Sequence, residues 1–462
     1  MPYFSGIRQT QLRPSRFATS LLLMALLLPV FPAGLVAAAD ALPAACPARS
    51  GTLTAQDKAY AQVAWQYFEN NLQKQTGLVN AVDNYPSTTL WDMGSSLAAF
   101  IAAEKLGLIP RDRFDRLIGH ALYTIEHLDL FNGEAPNKAY HTETGKKVDY
   151  RNQPSEQGIG VSTLDLGRMA SWLDILACLH PQHEAKARRI LESWNFCRLL
   201  EHGQMYGLSA EADGKVDVQQ EGRLGYEQYA GKVYKRLGFD MALSASYKNM
   251  YATTAEVDGI TLAVDARDAT TLGGHNYVVS ESYAMDWLEH GADAENTPLM
   301  ESIYTIQQRR WEKTGKVTAV SEDNLDRKPY FVYNTIFSDG VPWNAITDKG
   351  EDMSGLRSLS TKAAFSLAYL FPERKYSQVL LDAVQTAKNP KGGWYSGIYE
   401  DPDKGLNQST TANTNGVILS VFLYKIYGAL QQQCSKCGKG LKLSDEFMSK
   451  NKDKQQCWGK FK

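Results

Sequence analysis

The chain has 462 residues, with 49 basic and 51 acidic side chains and a formal net charge of −2. A balance this even gives no electrostatic footprint for nucleic acid, so a nucleic-acid partner is not expected. Aromatic residues are 11%, including 9 Trp and 24 Tyr, which suits either a large core or platforms on which the apolar face of a sugar ring can rest.

The first element is an address. Arg8, Arg13 and Arg16 precede an apolar run over 17–36 that ends in Ala37-Ala38-Ala39. A basic start, an apolar middle and a small-residue end predict a signal peptide, 1–39, removed near Ala39 to give a periplasmic or secreted protein. The competing reading is a retained anchor, because a run of about 20 residues can span a bilayer. Pro29 and Pro32 favour cleavage, after which no stable membrane insertion is expected. Residues 40–54 read as a linker, and the roughly 420 residues that remain make one large domain or two ordinary ones. Six cysteines in an exported chain predict disulfides. Cys178 and Cys197 flank a helical turn around Pro181, while Cys46, Cys434, Cys437 and Cys457 have no evident pairing.

The following elements are helical. Phe114, Leu117, Ile118, Ala121, Leu122, Ile125 and Leu128 recur at helix spacing and define one apolar stripe. Comparable segments cover 56–73, 91–107, 164–179, 184–201, 226–238, 280–290, 297–312, 357–370, 374–388 and 411–430. Gly-, Pro- and Asn-rich loops at 131–150, 207–222, 317–343 and 391–407 separate them, and loops this long are often functional. A β-rich stretch at 259–264 predicts a hairpin. No linker divides the barrel segment 55–430. Helical hairpins without strand alternation predict an all-α fold, an (α/α) toroid or barrel of about twelve helices with long loops at one mouth; an orthogonal bundle is the alternative. In a toroid the inner helices run parallel, so first-turn residues from distant segments meet at that mouth. The tail, 431–462, is rich in Lys and Cys. Three Cys without His fall short of the four ligands zinc takes, so the tail reads as disulfide-bonded or as an unstructured appendage contributing little core.

Glu227 stands between Tyr226 and Tyr229 in Gly222-Arg223-Leu224-Gly225-Tyr226-Glu227-Gln228-Tyr229-Ala230. A carboxyl held against tyrosine rings has its charged form disfavoured, the state a general acid needs. Asp92 and Asp165 each occupy a first helical turn behind Ser/Thr caps, where an acid also serves the helix dipole without any catalytic role. Gly94 and Gly167 beside them let another chain or a ligand approach. Glu322, Asp323 and Asp326 crowd one loop before Pro329-Tyr330-Phe331, either as a solvated turn or as a base and a holder of sugar hydroxyls. Trp343, Trp394, Tyr395, Tyr399 and Glu400 cluster in loops and read as sugar-stacking positions. No G-x-S-x-G elbow, H-E-x-x-H motif or phosphate loop is present, and eight scattered His offer no ligand spacing. No metal and no cofactor are expected.

Trp91-Asp92-Met93-Gly94, Ala135-Pro136-Asn137-Lys138-Ala139-Tyr140, the Glu221 to Ala230 block, Thr318-Ala319-Val320-Ser321-Glu322-Asp323 and Ser360-Thr361-Lys362-Ala363-Ala364-Phe365 resemble the bacterial family called domain of unknown function 3131, over roughly 55–430. More distantly, Pro86 to Gly94, Val161 to Gly167 and Ala412-Asn413-Thr414-Asn415-Gly416 resemble the glycoamylase-like domains of β-1,2-glucanases and cyclic glucan synthases. The resemblance implies an (α/α) barrel, an exported or membrane-linked setting, and work on β-glucan or exopolysaccharide. By motif position it makes Glu227 the acid and leaves the base open.

The sequence therefore predicts a periplasmic glycoside hydrolase or transglycosylase acting on an oligo- or polysaccharide. Glu227 is the expected general acid, and Asp92, Asp165, Glu322 or Asp323 the second carboxylate. Trp91, Tyr140, Arg223, Tyr226, Trp343, Trp394, Tyr399 and Glu400 form the expected sugar-binding set. A carboxyl separation of ~6.5–9.5 Å would mean inversion, ~5–5.5 Å retention. A non-catalytic polysaccharide-binding or assembly protein would keep the aromatics without paired acids; a polysaccharide lyase would want a Tyr, His or Arg base near a uronate.

Overall fold

The computed structural model describes residues 46–452 except 212, 272 and 273; the expected signal segment and Cys457 lie outside the described residues. In chain order the helices are α1 (Ala55–Asn71), α2 (Leu90–Lys105), α3 (Arg111–Glu126), α4 (Thr163–Leu179), α5 (Glu184–Glu192), α6 (Tyr226–Arg236), α7 (Ser280–His290), α8 (Asn296–Thr314), α9 (Thr361–Leu370), α10 (Lys375–Val384), α11 (Ala412–Tyr427), α12 (Leu430–Lys436) and α13 (Asp445–Lys452). Among the described residues no helix is long and apolar enough to cross a membrane.

Six of these helices neighbour one another in a cycle: α2 packs on α4, α4 on α6, α6 on α7, α7 on α9, α9 on α11, and α11 back on α2. Their composition explains the placement. In α2, α4 and α11 nearly every side chain is buried, as expected of a helix that is apolar all round. By contrast α3 buries only its stripe, Phe114, Ile118, Ala121, Leu122 and Ile125, and lies outside against α2 and α5. Glycine sets the closeness within the cycle. A Cβ on Gly94 would come within 3.0 Å of Arg168, on Gly167 within 2.8 Å of Ala230, and on Gly416 within 3.0 Å of Ser95. Gly94 and Gly167 thus admit a neighbouring helix, not a ligand.

The all-α expectation needs a correction in the loops. The loops at 131–150, 207–222, 317–343 and 391–407 carry short antiparallel strands. The predicted hairpin spans Ala252–Val257 and Ile260–Asp265, closed at Asp258 and Gly259, both with positive φ (53° and 72°), as an Asp-Gly turn favours. Helix α5 stops at Glu192 rather than 201, because the chain after it turns into the strand Leu200–Glu201.

Of the tail's two readings the structure shows the disulfide-bonded one, and the expectation of little core is corrected. Cys434 is bonded to Cys178 on α4, and Cys437 to Cys46; Cys197 is disulfide-bonded too. Helix α12 packs on α4, α7 and α11. Phe447 is buried against Phe196 and Phe239, and Asn451 Oδ1 accepts the Phe196 N–H at 2.7 Å. Aromatic payload, not periodicity, docks this segment on the core.

Candidate active site

Caps place the first turns. Thr89 accepts the Asp92 N–H at 3.1 Å, Ser162 the Asp165 N–H at 3.2 Å, and Thr411 the Thr414 N–H at 3.0 Å, which starts α2, α4 and α11. Helix α6 starts on Gly225 at φ 112°, where a Cβ would meet Ser282 Oγ at 2.5 Å, so only glycine fits. The first turns then meet. Trp91 Nε1 donates to Asn413 at 3.2 Å, Asn413 Nδ2 donates to Glu281 at 2.7 Å, and Lys362 Nζ is 2.5 Å from Glu281. Trp91 stands edge-on to Tyr226 with centroids 5.4 Å apart, and Arg168 lies 4.9 Å beneath its ring.

The first turns of α2, α4 and α6 border a cavity of about 600 Å³ lined by Trp91, Asp165, Glu221, Arg223, Tyr226, His275, Tyr277, Glu322, Tyr333 and Asp348, among others. Tyr277 and Tyr333 stack at 4.1 Å. Glu322 and Tyr333 are cross-strand partners, so both face the cavity. Side chains alternate along a strand, and Asp323 therefore points away from Glu322, into a buried niche beside Lys362 at 3.6 Å.

The carboxyls differ sharply from solvent-exposed ones. Burial, reinforced by the negative charge of Glu281, pushes Glu322 up to about 8 against the pull of Lys362. Burial, then Glu221 and Asp92, push Asp165 up to about 7. Burial raises Asp323 to about 7. Asp92 is raised by burial while accepting the Thr89 hydroxyl at 2.7 Å. Glu221, also raised by burial, accepts the Ser162 hydroxyl at 2.7 Å and the Thr163 N–H at 2.6 Å. The Tyr333 hydroxyl lies within electrostatic reach of Glu322, Asp348 and Asp165. Two carboxyls that hold protons near neutrality thus face one cavity with aromatic walls, an arrangement able to pass a proton to one oxygen and take one from another.

Of the expected residues, the structure brings Trp91, Asp165, Arg223, Tyr226 and Glu322 to the cavity. Asp92, partly exposed, is not among its lining residues, and Asp323 lies in the buried niche beside Lys362. Six others do not line it. Glu227 is 1% exposed and held by Arg267, whose Nη2 donates at 2.5 Å and Nη1 at 3.3 Å. Burial raises its pKa, and this guanidinium works against the rise. Successive helical residues sit about 100° apart, so Tyr226 faces the cavity and Glu227 faces Arg267. Tyr140 is buried, its hydroxyl donating to Asp129 O at 2.8 Å. Trp343 packs under Arg310 and donates to Asp258 at 3.2 Å. Trp394 is fully buried against Tyr60 and Phe365. The Tyr399 hydroxyl donates to Asp326 at 2.7 Å, and Glu400 accepts two bonds from Arg310, at 2.5 and 2.9 Å. Trp394 thus belongs to the helical core, while Trp343, half-buried, and Tyr399 are held within the loops.

Sequence reasoning missed Glu221, His275, Tyr277, Tyr333, Asp348, Glu281 and Lys362. Glu281 had a usable signal, an acid in a first turn like Asp92 and Asp165. Glu221 and Lys362 stood inside quoted motif blocks.

The fold is shared with glucan-related proteins. A "putative glucoamylase" from Bacteroides fragilis superposes with a TM-score of 0.61 at 14% identity, covering 89% of this chain and 97% of that one. An endo-β-1,2-glucanase from Chitinophaga pinensis, in complex with sophorotriose and glucose, gives 0.59 at 16%, covering 88% and 98%. An endo-β-1,2-glucanase from Talaromyces funiculosus, in complex with sophorose, gives 0.54 at 10%, covering 83% and 85%. No curated protein matches the chain at the sequence level. The family model described as "Protein of unknown function (DUF3131)" matches residues 59–428, and the chain belongs to that family.

Proposed function

We propose that this protein is an exported glycoside hydrolase or transglycosylase acting on a bacterial β-glucan or related exopolysaccharide, on an (α/α) toroid formed by the cycle of inner helices. The observation that carries the reading is the pair of proton-holding carboxyls, Glu322 and Asp165, on one aromatic-walled cavity. Glu322 keeps its proton at neutral pH and gives it to the glycosidic oxygen. Asp165 loses its proton first and acts on water or on the sugar carbon. Trp91, Tyr226, Tyr277 and Tyr333 offer ring faces and hydroxyls to the sugar. Glu227, the acid by motif position, stabilises the turn into α6 through Arg267 instead. The fold neighbours with sophorose-type ligands support a β-1,2-linked glucan as the first substrate to try. The disulfides fit an oxidising compartment, hence a periplasmic or secreted location.

A lyase is less well supported. His275 lines the cavity and pairs with Asp339, but Arg223 gives four of its five N–H groups to Arg267 O, Gly222 O, Gln220 and Gly274 O, so it cannot offer a uronate a bidentate fork. A binding protein would have no need of protonated carboxyls. Incubation of the purified protein with a panel of bacterial glucans, β-1,2-glucan included, followed by reducing-end release, tests the proposal. Release from at least one glucan is expected; binding without release, or unsaturated products, would contradict it.

A further inference from the structure

Behind the strand Glu322–Asn324, on the side away from the cavity, the first turns of α7 and α9 set Glu281 and Lys362 against Asp323. Lys362 Nζ is 2.5 Å from Glu281 Oε2 and 3.6 Å from Asp323 Oδ1, and all three side chains are almost fully buried. Glu281 Oε1 accepts from Asn413 Nδ2 at 2.7 Å. Asp323 has the Ser360 hydroxyl and Lys362 in reach, but among the described residues neither meets its oxygens in full bonding geometry. The surrounding elements offer little further positive charge. Arg168, from α4, is in reach of Glu281 but bonded to Glu289 at 3.1 Å. Helix α2 contributes only another acid, Asp92, and α6 contributes the Tyr226 hydroxyl, which faces Glu322. Tyr277 and Tyr333 bound Glu322 on the cavity side.

One ammonium cannot balance the three carboxyls Glu281, Asp323 and Glu322 in a buried site, because a buried charge without a partner is strongly disfavoured. Geometry decides which carboxyl takes it. Glu281 has the short contact to Lys362 and the amide of Asn413, so the one ammonium is spent on it. Asp323 and Glu322 are left to carry protons, and of these only Glu322 reaches the cavity.

We propose that Glu281, paired with Lys362, is a positioning residue of this site: its fixed negative charge behind the strand keeps the proton on Glu322, where a sugar oxygen can use it. The inference rests on the hydrolase reading for its activity assay, but not for its spectroscopic one. In Glu281→Gln the shape is kept and Lys362 is released toward Asp323 and Glu322. The alkaline limb of kcat/KM on β-1,2-glucan then moves down by about one pH unit, a loss of about tenfold on that side of the profile, with KM little changed. The double variant Glu281→Gln/Lys362→Met removes both charges and brings the limb back toward wild type, and Glu281→Asp, which keeps the charge, restores it in part.

Without any substrate, the carboxyl C=O infrared band that disappears in Glu322→Gln is titrated in each protein that folds. It is expected to vanish at lower pH in Glu281→Gln than in wild type; Glu281→Asp supplies the comparison if the Gln variant does not fold. Equal loss of rate at every pH, a double variant no closer to wild type than the single one, or an unmoved infrared titration would each overturn the inference. Failure of every glucan assay together with the shifted band would leave this inference standing and remove the hydrolase reading instead.

Discussion

Replacing Glu322 by Gln perturbs the site at one point with known sign. The amide keeps the shape and cannot give up a proton. A general acid is worth ~10²–10⁴ in rate, so kcat on glucan is expected to fall by about that factor with KM nearly unchanged. Stability should move the other way. Burial and the charge of Glu281 push the folded carboxyl up to about 8, against an ordinary value of 4.5. A raised folded value means the contribution to stability is complete below the unfolded pKa and is lost as pH climbs through the folded one. At about 1.4 kcal/mol per unit, full ionisation would cost up to about 5 kcal/mol. Glu281 and Asp323 share the charge balance, so about 2 kcal/mol is expected for the single variant. Wild type and Glu322→Gln should therefore melt alike at pH 5 and separate at pH 9, the variant higher by roughly 3 °C. Thermal melts across that range, beside kcat at each pH, check both halves. A constant gap in Tm, or full activity in the variant, would refute the reasoning.

Three further outcomes follow from the same geometry. Asp165→Asn should abolish the acid limb of the pH–rate profile near about 7, the value set by burial and by Glu221 and Asp92, and lower kcat by ~10²-fold or more; steady-state kinetics from pH 5 to 9 reads both. Glu227→Gln should behave as a structural lesion, costing about 1–3 kcal/mol in urea unfolding because Arg267 keeps only Asp265 as an ionic partner, with kcat of the folded fraction within about tenfold of wild type. Replacing Cys178 and Cys434 together by Ser opens a link between residues 256 apart in sequence and should lower the unfolding free energy by about 2–5 kcal/mol, measured by denaturant titration under non-reducing conditions.

Helix periodicity made the helical segments legible, because a buried stripe leaves a 3.6-residue imprint whatever the tertiary context. The capped first turns of α2 and α4 were legible for the same local reason, and they led to Trp91, Asp92 and Asp165. What the sequence left open was direction. Tyr226 and Glu227 are adjacent in sequence, and only the packing of α6 on α4 and α7 decides which of them faces inward. Glu322 and Asp323 looked like one acidic turn until their strand pairing with Phe331–Asn334 put them on opposite faces. Trp394 and Tyr399 read as sugar-stacking positions because they fall in loops, yet Trp394 packs between Tyr60 of α1 and Phe365 of α9, and the Tyr399 hydroxyl is tied to Asp326. The tail hid its docking because the Cys178–Cys434 disulfide and one phenylalanine, rather than a repeat, tie it to the core.

The central claim is that Glu322 donates the proton to the leaving oxygen, and its dependence on the leaving group tests that most directly. Wild type and Glu322→Gln would be compared on β-1,2-glucan and on a 2,4-dinitrophenyl β-glucoside of the same sugar, whose leaving group departs without protonation. The account predicts that the variant loses ~10²–10⁴-fold on glucan and keeps most of its rate on the activated glycoside. Equal losses on both substrates, or no loss on glucan, would contradict it.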